Sequence, residues 1–292
     1  MYEEGLVEVT GGRVWYQKYD EGTGRTPLII LHGGPGSSSY SLKDLKAFKE
    51  ERPVILYDQL GCGRSDRPKD TSLWRIDRFV EELGQLREAL NLEEVHILGH
   101  SWGTTLAAAY CLKQQKGVKS VIFSSPCLSA PLWEQDQKRN LQKLPIKVQE
   151  TIKRCEENGM TDSEEFNEAI EIFSQHFVRR IPRPEHLQNG EQYRNSEIYN
   201  IMWGPSEFTV KGNLKTFDCT PKLKEINCPT LFTCGFYDEA TPETTQYYSS
   251  LTPGSKFHVF KNSAHMAYVE EQQEFLRVIG EFLKNAEANK EY

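Results

Sequence analysis

The 292-residue sequence has no apolar run near the roughly 20 residues that a membrane-spanning helix needs; its apolar runs are strand-length, Leu28 to Leu31 among them. It has no surplus of positive charge. The net charge is −7, spread along the chain, which argues against a nucleic-acid partner because that would need a clustered basic face. The nearest thing to a basic cluster, Arg179, Arg180 and Arg183, reads as a solvated stretch. The seven cysteines contain no C-x-x-C pair, so neither a disulfide framework nor a zinc site is expected, and the thiols suit a reducing, cytoplasmic setting. Met1 to Val9 is acidic and lacks the apolar core of a secretory signal. No G-x-G-x-x-G follows a strand, and His96 and His100 straddle a strand end instead of forming a helical H-E-x-x-H pair. No dinucleotide, metal or other cofactor is called for.

What remains is an alternation of short apolar runs and amphipathic segments. Strands are expected at Arg13–Tyr19, Leu28–Leu31, Val54–Tyr57, Val95–Leu98 and Val118–Phe123. Helices are expected over Trp74–Leu90 and Trp102–Lys113. Continuous apolar strands separated by helices imply a mostly parallel sheet covered on both faces. After Pro126 the composition turns to Glu, Gln, Lys and Arg at helical spacing, broken by Pro182, Pro184 and Pro205. The alternation resumes at Thr230–Gly235 and Lys256–Phe260, with a closing helix near Gln272–Lys284. The expected organisation is therefore an α/β core of residues 1–127 and 217–292 carrying a helical cap of residues 128–216.

Gly99-His100-Ser101-Trp102-Gly103 fits G-x-S-x-G between a strand and a helix, the context that a nucleophile elbow requires. The helix N-terminus offers N–H groups to a developing oxyanion. Asp238 and His265 each follow a strand, and the order Ser, acid, His is that of the α/β-hydrolase fold. Ser124-Ser125-Pro126 offers no competing carboxylate. Ser101, Asp238 and His265 are thus the expected nucleophile, orienting acid and base. His32-Gly33-Gly34-Pro35-Gly36 follows Leu28–Leu31, where this fold places its second oxyanion donor, so the donors are expected to be the amides of Gly34 and Trp102. In the second glycine loop, Asp58 and Arg64 are expected to pair, and Cys62 either faces the site or is an inert core thiol.

His-Gly-Gly-Pro-Gly at 32–36, Tyr-Asp-Gln-Leu-Gly-Cys-Gly-Arg-Ser at 57–65, Gly-His-Ser-Trp-Gly at 99–103, Trp-Gly-Pro-Ser-Glu-Phe at 203–208 and Gly-Phe-Tyr-Asp-Glu at 235–239 together resemble the proline iminopeptidase family. The resemblance runs from about residue 5 to residue 284. It implies a serine aminopeptidase that releases an N-terminal residue, often proline, from short peptides beneath a helical cap. It also implies that Glu207 and Glu239 bind the substrate's amino group. Trp203, Phe208 and Phe236 are then candidates to line the pocket. Two other readings remain open here: an amidase or esterase of small amino-acid derivatives, and a non-catalytic receptor on a hydrolase scaffold. The expected partner is a small peptide or amino-acid amide, with no nucleic acid and no membrane. The oligomeric state is not specified.

Overall fold

The computed structural model describes residues 2–113 and 116–288. Eight strands form one sheet: β1 (Tyr2–Val9), β2 (Gly12–Tyr19), β3 (Leu28–Leu31), β4 (Val54–Tyr57), β5 (Val95–His100), β6 (Val118–Ser124), β7 (Thr230–Gly235) and β8 (Lys256–Phe260). Their order is β1-β2-β4-β3-β5-β6-β7-β8. The first two strands make an antiparallel hairpin, β2 pairs antiparallel with β4, and every later pairing is parallel. β1 is an addition to the sequence reading. It lies on the sheet edge with only Val7 buried, so it carries no apolar alternation to announce it.

The central strands are apolar throughout because both sheet faces are covered. In β3, Ile29 and Leu31 pack with α1 (Ile76–Ala89) and α2 (Trp102–Lys113) through Phe79, Leu83 and Leu106. The alternate residues Leu28 and Ile30 pack on the other face with Phe48 and with Phe275 and Ile279 of the closing helix, Gln272–Ala288. Small residues Ala107 and Ala108 let α2 lie close on the sheet.

Between β6 and β7 the chain forms α3 (Ala130–Leu141), α4 (Ile146–Glu157), α5 (Glu164–Phe177) and α6 (Ser196–Met202). Among the described residues, no sheet strand falls in this span. The insertion does not stand wholly apart. Its middle holds a separate apolar cluster around Val148, Ile152, Phe166, Phe173 and Phe208. Trp133 of α3, with Ile198, Met202 and Trp203 at its far end, belongs to the main core. Backbone and side-chain bonds tie it to the glycine loops: Asn195 N–H donates to Gly36 O at 2.8 Å, and Asn195 Nδ2 donates to Gly61 O at 2.9 Å. No described helix is long and apolar enough to cross a membrane.

Candidate active site

The sharp turn from β5 to α2 places Ser101 at φ 55°, a left-handed conformation that non-glycine residues seldom adopt without functional cause. Flanking glycines make the turn possible. A Cβ on Gly99 would lie 2.3 Å from Gly103 O, and one on Gly103 would lie 2.2 Å from Leu31 O. Trp102 opens α2, so its amide has no partner within the helix. The 32–36 loop runs against the same serine: a Cβ on Gly33 would sit 3.2 Å from Ser101 Cβ. Gly34, at φ 121°, follows it.

A buried network locks this loop to its neighbours. Gln59 N–H donates to His32 Nε2 at 3.1 Å, and Gln59 Nε2 donates to His32 O at 3.1 Å. Gln59 Oε1 accepts the Trp102 indole N–H at 2.8 Å. Burial lowers the His32 pKa and keeps the ring a neutral acceptor. Asp58 differs from expectation. Its Oδ1 accepts from the Ser39 amide and hydroxyl, and its Oδ2 accepts the Arg64 backbone N–H at 2.9 Å. The Arg64 guanidinium turns away and stacks 4.1 Å from the Trp15 ring centroid. Cys62 is fully buried in the main core, and burial pushes its thiol pKa upward, so it is the inert thiol of the two readings.

Asp238 and His265 meet beyond the ends of β7 and β8. His265 Nδ1 donates to Asp238 Oδ1 at 2.7 Å. Asp238 is itself fixed by the Ala240 amide at 2.8 Å and the Gly235 amide at 3.2 Å. The other imidazole nitrogen, Nε2, lies 3.7 Å from Glu239 Oε1. Burial alone would lower the His265 pKa, but the carboxylates of Asp238, Glu239 and Glu207 outweigh it and raise the value to about 9. Ser101 and His265 line one cavity of about 200 Å³, together with Glu207 and Glu239. Among the described contacts, no hydrogen bond joins the Ser101 hydroxyl and the His265 imidazole.

The two glutamates enter the cavity from different parts of the chain. Glu239 follows Asp238, while Glu207 comes from the insertion. Burial raises the Glu239 carboxyl to about 8, with the His265 charge opposing and the Glu207 and Asp238 charges adding. Burial also raises Glu207, against the pull of Tyr199, whose hydroxyl donates to Glu207 Oε1 at 2.5 Å. A narrower recess between Ser101 and Glu207 is walled by Trp102, Trp133 and Trp203, with Thr105 and Cys127.

Trp203 therefore lies at the cavity, but the other two aromatic candidates do not. Phe208 is buried inside the insertion, edge-on to Phe173 with ring centroids 4.9 Å apart. Phe236 is 58 % exposed and packs on Tyr237. Sequence reasoning missed Trp133, Tyr199 and Gln59. Gln59 sits inside the Tyr-Asp-Gln-Leu-Gly motif and was within reach; Trp133 and Tyr199 lie on polar helices with no local signal. Among the described residues, no three His, Cys, Asp or Glu side chains gather as a metal site would require.

A strained serine at a strand–helix elbow, an Asp–His pair beyond the following strands and a glycine loop beside them define a hydrolase site on a parallel sheet. A family model described as alpha/beta hydrolase fold matches residues 26–272. The chain is 74% identical over 287 residues to a proline iminopeptidase of Heyndrickxia coagulans, covering 98% of this chain and 100% of that one. It is 40% identical to a proline iminopeptidase of Saccharolobus solfataricus, covering 96% and 92% of the two chains. The crystal structure of a Mycobacterium smegmatis proline iminopeptidase superposes with a TM-score of 0.91 at 30% identity, covering 99% and 100%. The chain belongs to the proline iminopeptidase family of α/β-hydrolases.

Proposed function

We propose that the protein is a serine aminopeptidase that releases an N-terminal residue, proline above all, from short peptides through an acyl-enzyme. The observation that carries this reading is the pair of carboxylates, Glu207 and Glu239, set in the same cavity as Ser101 and His265. A buried carboxylate costs free energy unless a cation meets it. Two of them beside a nucleophile suit a substrate whose positive charge sits next to the scissile carbonyl, which describes a free N-terminus. The tryptophan-walled recess between Ser101 and Glu207 supplies an apolar, ring-sized contact consistent with a pyrrolidine.

In this mechanism Ser101 Oγ attacks the carbonyl of the first residue while His265 Nε2 takes its proton. Asp238 holds the imidazole by Nδ1. The amides of Gly34 and Trp102 receive the oxyanion, a contribution of the kind worth about 10²–10³ in rate per donor. The imidazolium then protonates the leaving amine, and water releases the acyl group. Residues 128–216 act as a cap that limits peptide length. Substrates are small peptides, and the seven free thiols suit a cytoplasmic setting.

The test is a panel of aminoacyl p-nitroanilides with and without N-acetylation. Proline anilide is expected to be cleaved fastest and its acetylated form scarcely at all. Comparable cleavage of acetylated substrates would move the protein to the amidase or esterase reading.

A further inference from the structure

Glu239 stands in two relations at once. Its Oε1 is 3.7 Å from His265 Nε2, the atom that must take the serine proton. Its Oε2 is buried with no hydrogen-bond partner among the described residues. Asp238 already holds the opposite nitrogen at 2.7 Å. The imidazole therefore faces a carboxyl group at each nitrogen, hydrogen-bonded at Nδ1 and at ion-pair distance at Nε2. A neutral imidazole donating to Asp238 would present a bare lone pair to the lone pairs of Glu239. A proton on Nε2 turns that repulsion into an ion pair at 3.7 Å. A proton on the ring closes Nε2 to Ser101 as a base.

We infer that Glu239 gates the catalytic base: its carboxylate holds His265 protonated at Nε2 by ion pairing, and the substrate's ammonium group takes over that carboxylate and frees the base. The inference rests on the aminopeptidase reading above and gives it a second level. The charge that marks a free N-terminus would act on turnover as well as on binding, since a blocked substrate reaches a site whose base is still occupied.

The proton balance is simple. One cation enters and pairs with the Glu239 and Glu207 carboxylates. The ring proton leaves Nε2 for solvent, and the net charge of the site is unchanged. The neutral imidazole then accepts the Ser101 proton as the Oγ–carbon bond forms.

The groups facing His265 are consistent with this exchange. Asp238 and Glu239 approach from the loop after β7 and Glu207 from the insertion, and all three favour the charged ring. His100, at the end of β5, has its ring centroid 4.8 Å away and is kept neutral by burial. Tyr268 packs edge-on to His100 and stays protonated.

Two measurements decide it. The first is the pH profile of p-nitrophenyl acetate hydrolysis, a substrate with no amino group, in wild type and Glu239→Gln. Wild-type kcat/KM is expected to rise through an apparent pKa near 9. The amide side chain carries no charge to favour the protonated ring, so the midpoint moves down and the ester rate at pH 7 rises by about tenfold for each unit of movement. Proline p-nitroanilide turnover falls in the same variant. The second needs no variant: ¹⁵N spectra of labelled histidine in wild type, with and without L-prolinol, an amine with no scissile carbonyl. Nε2 is expected to lose its proton on saturation, with about one proton released in calorimetry across buffers. An ester profile that is unchanged or lower in Glu239→Gln overturns the gate, as does an Nε2 proton retained under saturating L-prolinol. Should L-prolinol not bind, the ester profile still decides. Failure of the aminopeptidase reading looks different: equal wild-type cleavage of proline anilide and its N-acetyl form.

Discussion

Tyr199→Phe removes one oxygen from the candidate site and leaves the triad residues untouched. The Tyr199 hydroxyl donates to Glu207 Oε1 at 2.5 Å, and burial keeps it protonated. A hydrogen bond to a charged acceptor contributes roughly 1.5–3 kcal/mol. If that contact holds Glu207 ready for the substrate ammonium, its loss lowers kcat/KM for proline p-nitroanilide by about 10- to 150-fold. The sign of the pH effect is fixed as well. Burial already raises the Glu207 carboxyl and Tyr199 pulls it down. Without the hydroxyl the carboxyl rises further, so the variant's amine activity declines at a higher pH than that of wild type as the medium is acidified. Hydrolysis of p-nitrophenyl acetate should change little, because no ammonium is read. Steady-state kinetics on both substrates from pH 6 to 9 test the reasoning. An equal loss on ester and anilide would show that Tyr199 supports the fold of α6 instead. No loss on either would remove Glu207 from amino-group recognition.

Ser101→Ala should stay folded and lose on the order of 10⁶ in kcat, and a fluorophosphonate should label Ser101 in wild type only; labelling that persists in the variant would refute the assignment. Phe208→Ala should cost about 3–5 kcal/mol in the packing of the insertion, whereas Phe236→Ala, at an exposed position, should stay within about 0.5 kcal/mol; urea unfolding and protease susceptibility read both. His96 is buried, and burial together with Arg52 lowers its pKa to about 4. The unfolded chain takes up that proton near pH 6.5 and the folded one does not, so this stability is complete above pH 6.5 and is lost as pH falls towards 4. His96→Asn should flatten that limb by about 3 kcal/mol in urea titrations, and an unchanged slope would refute the shift.

The legible parts of this chain are those whose physics is local. Leu28–Leu31 and Val54–Tyr57 are apolar throughout because both sheet faces are covered, and their bounds in the structure match the sequence reading. The elbow was legible because a serine at φ 55° needs Gly99 and Gly103 beside it, and glycine is visible in sequence. The illegible parts depend on distant partners. Nothing in Tyr2–Val9 marks a strand, since its edge position buries Val7 alone. Trp203 and Phe208 lie five residues apart on one aromatic stretch, yet one meets the cavity and the other the insertion's interior. Gly204 and Pro205 break the periodicity between them, so no face could be assigned. Opposite charge predicts an Arg64–Asp58 pair, but the backbone amide of Arg64 reaches Asp58 and leaves the guanidinium free for Trp15.

The same distinction bears on why the acid pair counts for more than any single motif. Glu207 and Glu239 come from segments about 30 residues apart, on the insertion and on the sheet, and both have carboxyl pKa values raised by burial. A pair of buried carboxyl groups is a cost that folding alone gives no reason to keep. The cost falls when a cation enters, and it falls most for a cation held by both groups at once. An ammonium beside a scissile carbonyl meets that condition, whereas an internal peptide bond would bring an uncharged amide and leave both carboxyls unmatched. Under the proposed aminopeptidase reading, binding and rejection follow from one arrangement, because a free N-terminus offers the cation that both carboxyls lack. Since one of the two acids also faces the base at 3.7 Å, the relief is transmitted to the atom that performs the chemistry.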